Sequence, residues 1–155
     1  MAYAEKTNVS VEKTKAEIER IVTRAGADSF MSFSERGGAK IAFELNGRRI
    51  LFVLPLPDQS EKRFWQHSRG KRSESAAYAQ WEQACRSKWR ALYLTIKAKL
   101  ESTEAGIESF DEAFLAHIMT PDGARFSERA VPAIEQAYQD HGAPVLRLEG
   151  PKGDR

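Results

Sequence analysis

Residues 29–56 read SFMSFSERGGAKIAFELNGRRILFVLPL, and this stretch decides the fold. Apolar and polar residues alternate from Lys40 to Leu45, and a second strand-like run follows from Arg48 to Pro55. This two-residue period belongs to strands with one buried face. Asn46-Gly47 separates the runs, and that dipeptide favours a type I′ turn because both residues tolerate positive φ. A two-residue turn fixes the register: Phe43 opposes Ile50 and Ile41 opposes Phe52 on one face, while Glu44 meets Arg49 on the other. The preceding turn lies between Glu35 and Ala39. A three-residue loop through Arg36, Gly37 and Gly38 places Met31 and Phe33 on the face of Ile41 and Phe43, whereas a two-residue loop places serines there. Hydrophobic pattern therefore predicts the three-residue loop, with Gly38 in a left-handed bulge position. Pro55 and Pro57 end the third strand.

Upstream, Ser10 is placed to cap a helix whose apolar positions, Val11, Thr14, Ile18, Ile21, Val22 and Ala25, recur at spacings of three and four. Gly26 supplies a left-handed terminator, giving a helix of about four turns. Residues 1–9 read as a frayed arm. Downstream of the strands, Ser73 or Ser75 caps a long helix running to about Ser102, with Tyr78, Trp81, Cys85, Trp89, Leu92, Ile96 and Leu100 as its buried stripe. Such a helix spans roughly 40 Å and must overhang a three-stranded sheet. Two shorter helices follow. Ser109 and Glu112 form a capping box before Phe110 to Met119, and Ser127 caps Glu128 to His141, with Pro121-Asp122-Gly123 as the turn between them. The expected architecture is α+β: an N-terminal helix, a three-stranded antiparallel β-meander, one long helix and two shorter C-terminal helices. Residues 1–142 form a single domain, and residues 143–155 a flexible tail.

The 155 residues, 41% of them hydrophobic, suffice for one sizeable core. A single cysteine, Cys85, forms no intrachain disulfide and fits a reducing compartment. The N-terminus lacks an apolar leader core and no apolar run approaches the roughly 20 residues of a membrane span, so a cytoplasmic protein without membrane contact is expected. Lys and Arg number 24 against 22 acids, so the net charge of +2 directs no partner globally.

An enzyme reading needs a nucleophile, a base or a metal site. His67, His117 and His141 are isolated from one another, and Cys85 falls on an apolar stripe between Trp81 and Trp89, where a thiol packs as a small hydrophobe. Gly37-Gly38 is followed by strand residues and lacks the Lys-Ser or Lys-Thr of a phosphate loop. Glu104, Glu108, Asp111 and Glu112 gather where helix starts favour acids anyway. No catalytic residue, metal or cofactor is expected.

The segment 58–73 is the most unusual in the chain. Lys62, Arg63, Arg69, Lys71 and Arg72 are interleaved with Trp65 and His67, and cations beside flat rings suit phosphates beside unpaired bases. On the long helix, Arg86, Arg90 and Lys97 recur at spacings of four and seven. Loop and helix together predict a cationic, aromatic groove for nucleic acid, most readily single-stranded. Alternatively the helix cations are a solvated face and Trp65 anchors the loop, with Glu61, Glu74 and Glu82 diluting the charge.

Three groups of residues carry a resemblance: Phe52-Val53-Leu54-Pro55-Leu56-Pro57-Asp58; Trp81-Glu82-Gln83-Ala84-Cys85-Arg86 with Trp89-Arg90-Ala91-Leu92 and Ile96-Lys97-Ala98-Lys99-Leu100-Glu101; and Gly106-Ile107 leading to Phe114-Leu115-Ala116-His117-Ile118. From Phe52 to Gly123 the chain resembles an uncharacterised family of small proteins of tailed bacteriophages and prophages. The resemblance implies a viral accessory protein that handles DNA, modifies host machinery or blocks host defence, and it carries no catalytic residues. The order of helix, three strands and helix is also similar to double-stranded RNA-binding domains, with Gly70-Lys71-Arg72-Ser73 before Ala76-Ala77 like their basic second-helix start, although about 16 residues are inserted after Pro57. Over Ser29 to Ser102, a meander against a long basic helix looks like the core of single-strand annealing proteins. The resulting expectation is a non-enzymatic phage accessory protein that binds nucleic acid. Its rival is an inhibitor of a host enzyme or defence system that docks through exposed aromatics and the outer sheet face. Under either reading the overhanging helix offers apolar surface for self-association.

Overall fold

A computed structural model of the chain describes residues 4–146. Its elements are α1 (Val11–Arg24), β1 (Ser29–Glu35), β2 (Gly38–Leu45), β3 (Arg48–Pro55), α2 (Lys62–Trp65), β4 (Gln66–His67), β5 (Gly70–Lys71), α3 (Glu74–Glu104), α4 (Phe110–Phe114), a 3₁₀ turn (Leu115–His117), β6 (Ile118–Met119) and α5 (Phe126–Asp140). The chain is α+β, with the meander and the long helix where the sequence places them.

Asn46 and Gly47 both have positive φ, 51° and 71°, and Phe43 lies opposite Ile50, Ile41 opposite Phe52 and Glu44 opposite Arg49. The Arg49 Nε donates to Glu44 Oε1 at 3.2 Å across that last pair. The first turn differs from expectation. Glu35 pairs with Gly38, so the loop contains only Arg36 and Gly37, and Gly37 rather than Gly38 takes the left-handed conformation, at φ 82°. Gly38 instead sits in the strand, where a Cβ would lie 3.1 Å from the Leu54 carbonyl oxygen. Ser32 therefore opposes Ile41 and Ser34 opposes Ala39, while Met31 and Phe33 point to the outer face, 54% and 48% exposed. Alternation would dictate the other register only if the inner face of β1 were covered along its length. Only Phe30 packs against the core; Ser32 and Ser34 stay exposed, so serines cost nothing there and the turn sets the register.

The inner sheet face supplies Ala39, Ile41, Phe43, Leu45, Ile50, Phe52 and Leu54 to the core. Ile18 and Val22 of α1, Trp89, Leu92 and Ile96 of α3, and Ala113 and Phe114 at α4 cover it. Phe114 meets Phe43 and Phe52 edge-on, with ring centroids 6.1 and 6.3 Å away, the geometry aromatic quadrupoles favour. α1 begins at Ser10, whose Oγ accepts from Lys13 N, and ends as expected: Gly26 has φ 104° and Ala27 N donates to Val22 O. The segment read as a frayed arm is docked from Ala4 onward. Ala4 is buried, Gln83 Nε2 donates to the Glu5 and Thr7 carbonyls at 3.1 and 2.9 Å, and Ser87 Oγ donates to Glu5 O at 2.8 Å.

Three boundaries move. The helix expected to reach Met119 ends at Phe114. After a 3₁₀ turn, Ile118 and Met119 pair with Ile50 and Arg49, adding a fourth strand beside β3. A two-residue strand is too short to show periodicity. The last helix starts at Phe126 rather than Glu128, because Glu128 Oε2 accepts from Arg125 N at 3.0 Å and so caps the turn before Ser127. It ends at Asp140, and His141, expected as the last helical residue, takes the left-handed conformation at φ 52°. The tail beyond residue 146 lies outside the described residues. No helix among the described residues is long and apolar enough to cross a membrane.

Candidate nucleic-acid interface

The segment 58–73 is folded by polar contacts around one apolar anchor. Asp58 opens it as a turn: its Oδ1 accepts from Ser60 N at 2.8 Å and from Ser60 Oγ at 2.6 Å. The hydroxyl bond is the main cause, and the backbone bond the second, of an Asp58 pKa below the usual carboxylate value. α2 follows and packs against α3, with Phe64 buried. Trp65 Nε1 donates to Gln59 O at 3.1 Å, and Trp81 Nε1 donates to Pro57 O at 2.9 Å. Arg72 ties the segment together from below. Its Nη1 donates to the carbonyls of Arg63, Phe64 and Gln66 at 3.0, 3.0 and 3.3 Å, and its backbone N donates to Trp65 O at 2.7 Å. One guanidinium thus satisfies the carbonyls that end a four-residue helix. β4 and β5 form a small hairpin in which His67 opposes Gly70 and His67 Nδ1 accepts from Arg69 N. Ser73 then caps α3, its Oγ accepting from Ala76 N at 3.2 Å.

Because α3 has 31 residues, about 46 Å, its first turns pass beyond the sheet, and the folded segment packs there instead. Between them lies an open groove of about 1210 Å³. Trp65 and Tyr78 line it as rings, Lys62 and Lys71 as cations, and Asp58 and Glu74 as acids. Trp65 is 36% and Tyr78 46% exposed. Tyr78 rests against Trp81, ring centroids 5.5 Å apart, and the neighbouring Glu82 charge is the largest cause holding its phenol pKa above the usual value. The phenol therefore stays a neutral donor at physiological pH.

Of the ten expected site residues, Lys62, Trp65 and Lys71 line this groove. His67 and Arg69 stand exposed on the small hairpin, apart from the groove wall. Arg63 pairs with Glu61 at 2.7 Å and lies over the Phe64 ring at 4.6 Å, and Arg72 is the internal tie. The three helix cations are not brought to the loop. Arg86 donates twice to Gln83 Oε1, Arg90 bridges to Glu17 of α1 while lying over Tyr93 at 4.2 Å, and Lys97 faces Glu101 at 3.9 Å. They lie 8, 12 and 19 residues beyond Tyr78, roughly 12 to 28 Å along the helix. Arg90 joins α1 to α3, a structural role that spacing alone does not reveal.

Tyr78 is the groove residue that sequence reasoning missed, having assigned it to the buried stripe. The signal was the overhang itself: a helix longer than its sheet leaves the stripe of its first turns uncovered. His117, expected on a helix, closes the 3₁₀ turn and stacks on Phe52 with ring centroids 4.0 Å apart. Burial first, then the charges of Lys99 and Arg125, push its pKa down, against a smaller opposing effect of the Leu51 backbone. Among the described residues no partner of good hydrogen-bond geometry meets its Nδ1. Burial pushes the Cys85 thiol up, away from the reactive thiolate. Comparison of the chain with protein-family models, curated proteins and solved structures returns no match.

Proposed function

We propose that this chain is a non-enzymatic accessory protein that binds single-stranded nucleic acid in the groove between the 58–73 segment and the start of α3. The observation that carries the reading is that one open groove is lined by two exposed aromatic rings, Trp65 and Tyr78, and two lysines, Lys62 and Lys71. Aromatic faces accept any unstacked base, and lysines at the rim meet the phosphates that connect the bases. Asp58 of the segment and Glu74 of α3 disfavour phosphate beside them, so the phosphates keep to Lys62 and Lys71. Arg69 on the adjoining hairpin adds a further cation and His67 a further ring. The setting is the phage or prophage one that the sequence resemblance implies, with the protein in the host cytoplasm.

The test is an electrophoretic shift with single- and double-stranded DNA and RNA at two salt concentrations. Binding should prefer single strands and weaken as salt rises. Replacing Lys62 and Lys71 together by Glu should flatten the slope of log affinity against log salt by about 1.4, the value for two phosphate contacts on a single strand. Tyr78→Ala should cost about 1–3 kcal/mol of affinity without changing that slope. Binding indifferent to salt and to these substitutions would sink the proposal. So would the absence of any shift together with stoichiometric capture of one host protein, which would favour the inhibitor reading.

A further inference from the structure

Among the described residues β1 is an edge strand, since the sheet order is β1-β2-β3-β6 and only β2 is bonded to it. Edge strands usually carry a defence against pairing with another chain: a lysine, a proline, a bulge or a very short length. β1 has none of these. It is seven residues long, pairs with β2 without interruption, and six of its residues are exposed. Its one ionisable residue, Glu35, is at the end.

The sequence Ser29-Phe30-Met31-Ser32-Phe33-Ser34-Glu35 is also self-complementary when turned antiparallel about Ser32. We infer that β1 pairs with β1 of a second copy about a two-fold axis at Ser32, joining two four-stranded sheets into one. In that register Met31 opposes Phe33 of the other copy, twice by symmetry, on the outer face where both are now exposed. Glu35 opposes Ser29, so no like charges meet within the new ladder. Because Phe33 is already opposite Lys40 and Lys40 opposite Val53, each row continues as Val53, Lys40, Phe33, then Met31, Ala42 and Leu51 of the second copy. The apolar side chains left exposed by the two-residue Arg36-Gly37 loop thereby shield one another's flanks. A register shifted by two residues would set Met31 or Phe33 against itself and leave the ladder shorter. A second copy fits this edge better than an arbitrary peptide because both alternation and charge match their own reverse.

A seven-residue ladder with two such contacts lies at the small end of specific interfaces, below about 1,200 Å², so the dimer should dissociate at roughly micromolar concentrations or above. Sedimentation equilibrium of the full chain over a concentration series tests this. Wild type should pass from monomer to dimer, and Met31→Lys and Phe33→Lys should each weaken association roughly tenfold. Ser32→Cys should cross-link to itself under mild oxidation, since directly opposed residues fall within disulfide reach, whereas Ser34→Cys should not. Cys85 is buried and stays silent in that experiment. A chain that remains monomeric at millimolar concentration overturns the inference. So does a dimer indifferent to both lysine substitutions, or one in which Ser34→Cys cross-links as readily as Ser32→Cys.

Discussion

Between Ser29 and Pro55, β2 is hydrogen-bonded on both sides and four of its eight residues are buried; between Asp58 and Ser73 only Phe64 is buried. The two regions adjoin in sequence but are held by different forces. The meander spreads its stability over many apolar contacts and ladder bonds, so it belongs to the cooperative core. The 58–73 segment depends on one anchor, an Asp58 turn and the carbonyls gathered by Arg72, bonds close enough to solvent that each is modest in net worth. Regions of the second kind open locally at less than the global unfolding free energy. The proposed ligand groove thus has one yielding wall, the 58–73 segment, and one firm wall, α3.

The substitution expected to cost most is Phe114→Ala. Its ring is fully buried and meets both Phe43 and Phe52, so truncation should lower global stability by about 3–5 kcal/mol in urea unfolding. Amide exchange should accelerate in the meander and α3 alike, because they share that core. A loss confined to α4, with meander protection unchanged, would show that the meander and the helices over it do not share one cooperative core.

Arg72→Ala probes the other region. Three carbonyls lose their donor, at a cost of about 1.5–3 kcal/mol for a charged donor, discounted here because the site is only partly buried. Hydrogen exchange should rise across 62–72 while the protection of β2 and β3 stays as in the wild type. If β2 loses protection as well, the segment is part of the core and the contrast fails. A guanidinium in a basic run reads as a ligand for phosphate, yet that of Arg72 is engaged by backbone oxygens that no composition reveals.

That distinction explains what was legible. The β2–β3 register, the Asn46-Gly47 turn, the Ser10, Ser73 and Ser109 caps and the Gly26 terminator are local rules, each written in adjacent residues. The Arg36-Gly37 loop was misread because hydrophobic alternation predicts a register only where a face is covered, and what covers β1 is set by distant helices. β6 was missed because its two residues become a strand only through β3. In the groove, Lys62, Trp65 and Lys71 were visible as an unusual composition. Tyr78 and the diversion of Arg90 to Glu17 depend on where α3 crosses the sheet and α1, which is tertiary information.

The smallest effect separates the two regions by pH. His117 is stacked on Phe52, and its folded-state pKa lies below the ordinary value of 6.5 through burial and the nearby Lys99 and Arg125 charges. The unfolded chain takes up a proton near pH 6.5 that the folded chain resists, so the stability linked to His117 is complete above that pH. It is lost as pH falls from 6.5 through the lower folded value, then levels off. Asp58 acts in a later window: its carboxyl is held below 3.8, so its contribution persists until the solution is more acidic than that. Acidification should therefore weaken the core side first and the Asp58 turn afterwards. His117→Phe keeps an aromatic ring over Phe52 and removes the first titration. Urea midpoints measured at several pH values from 7.5 down to 5 should slope for the wild type and lie flatter for that variant. Equal slopes would place the proton uptake elsewhere and remove His117 from the account of what distinguishes the two regions.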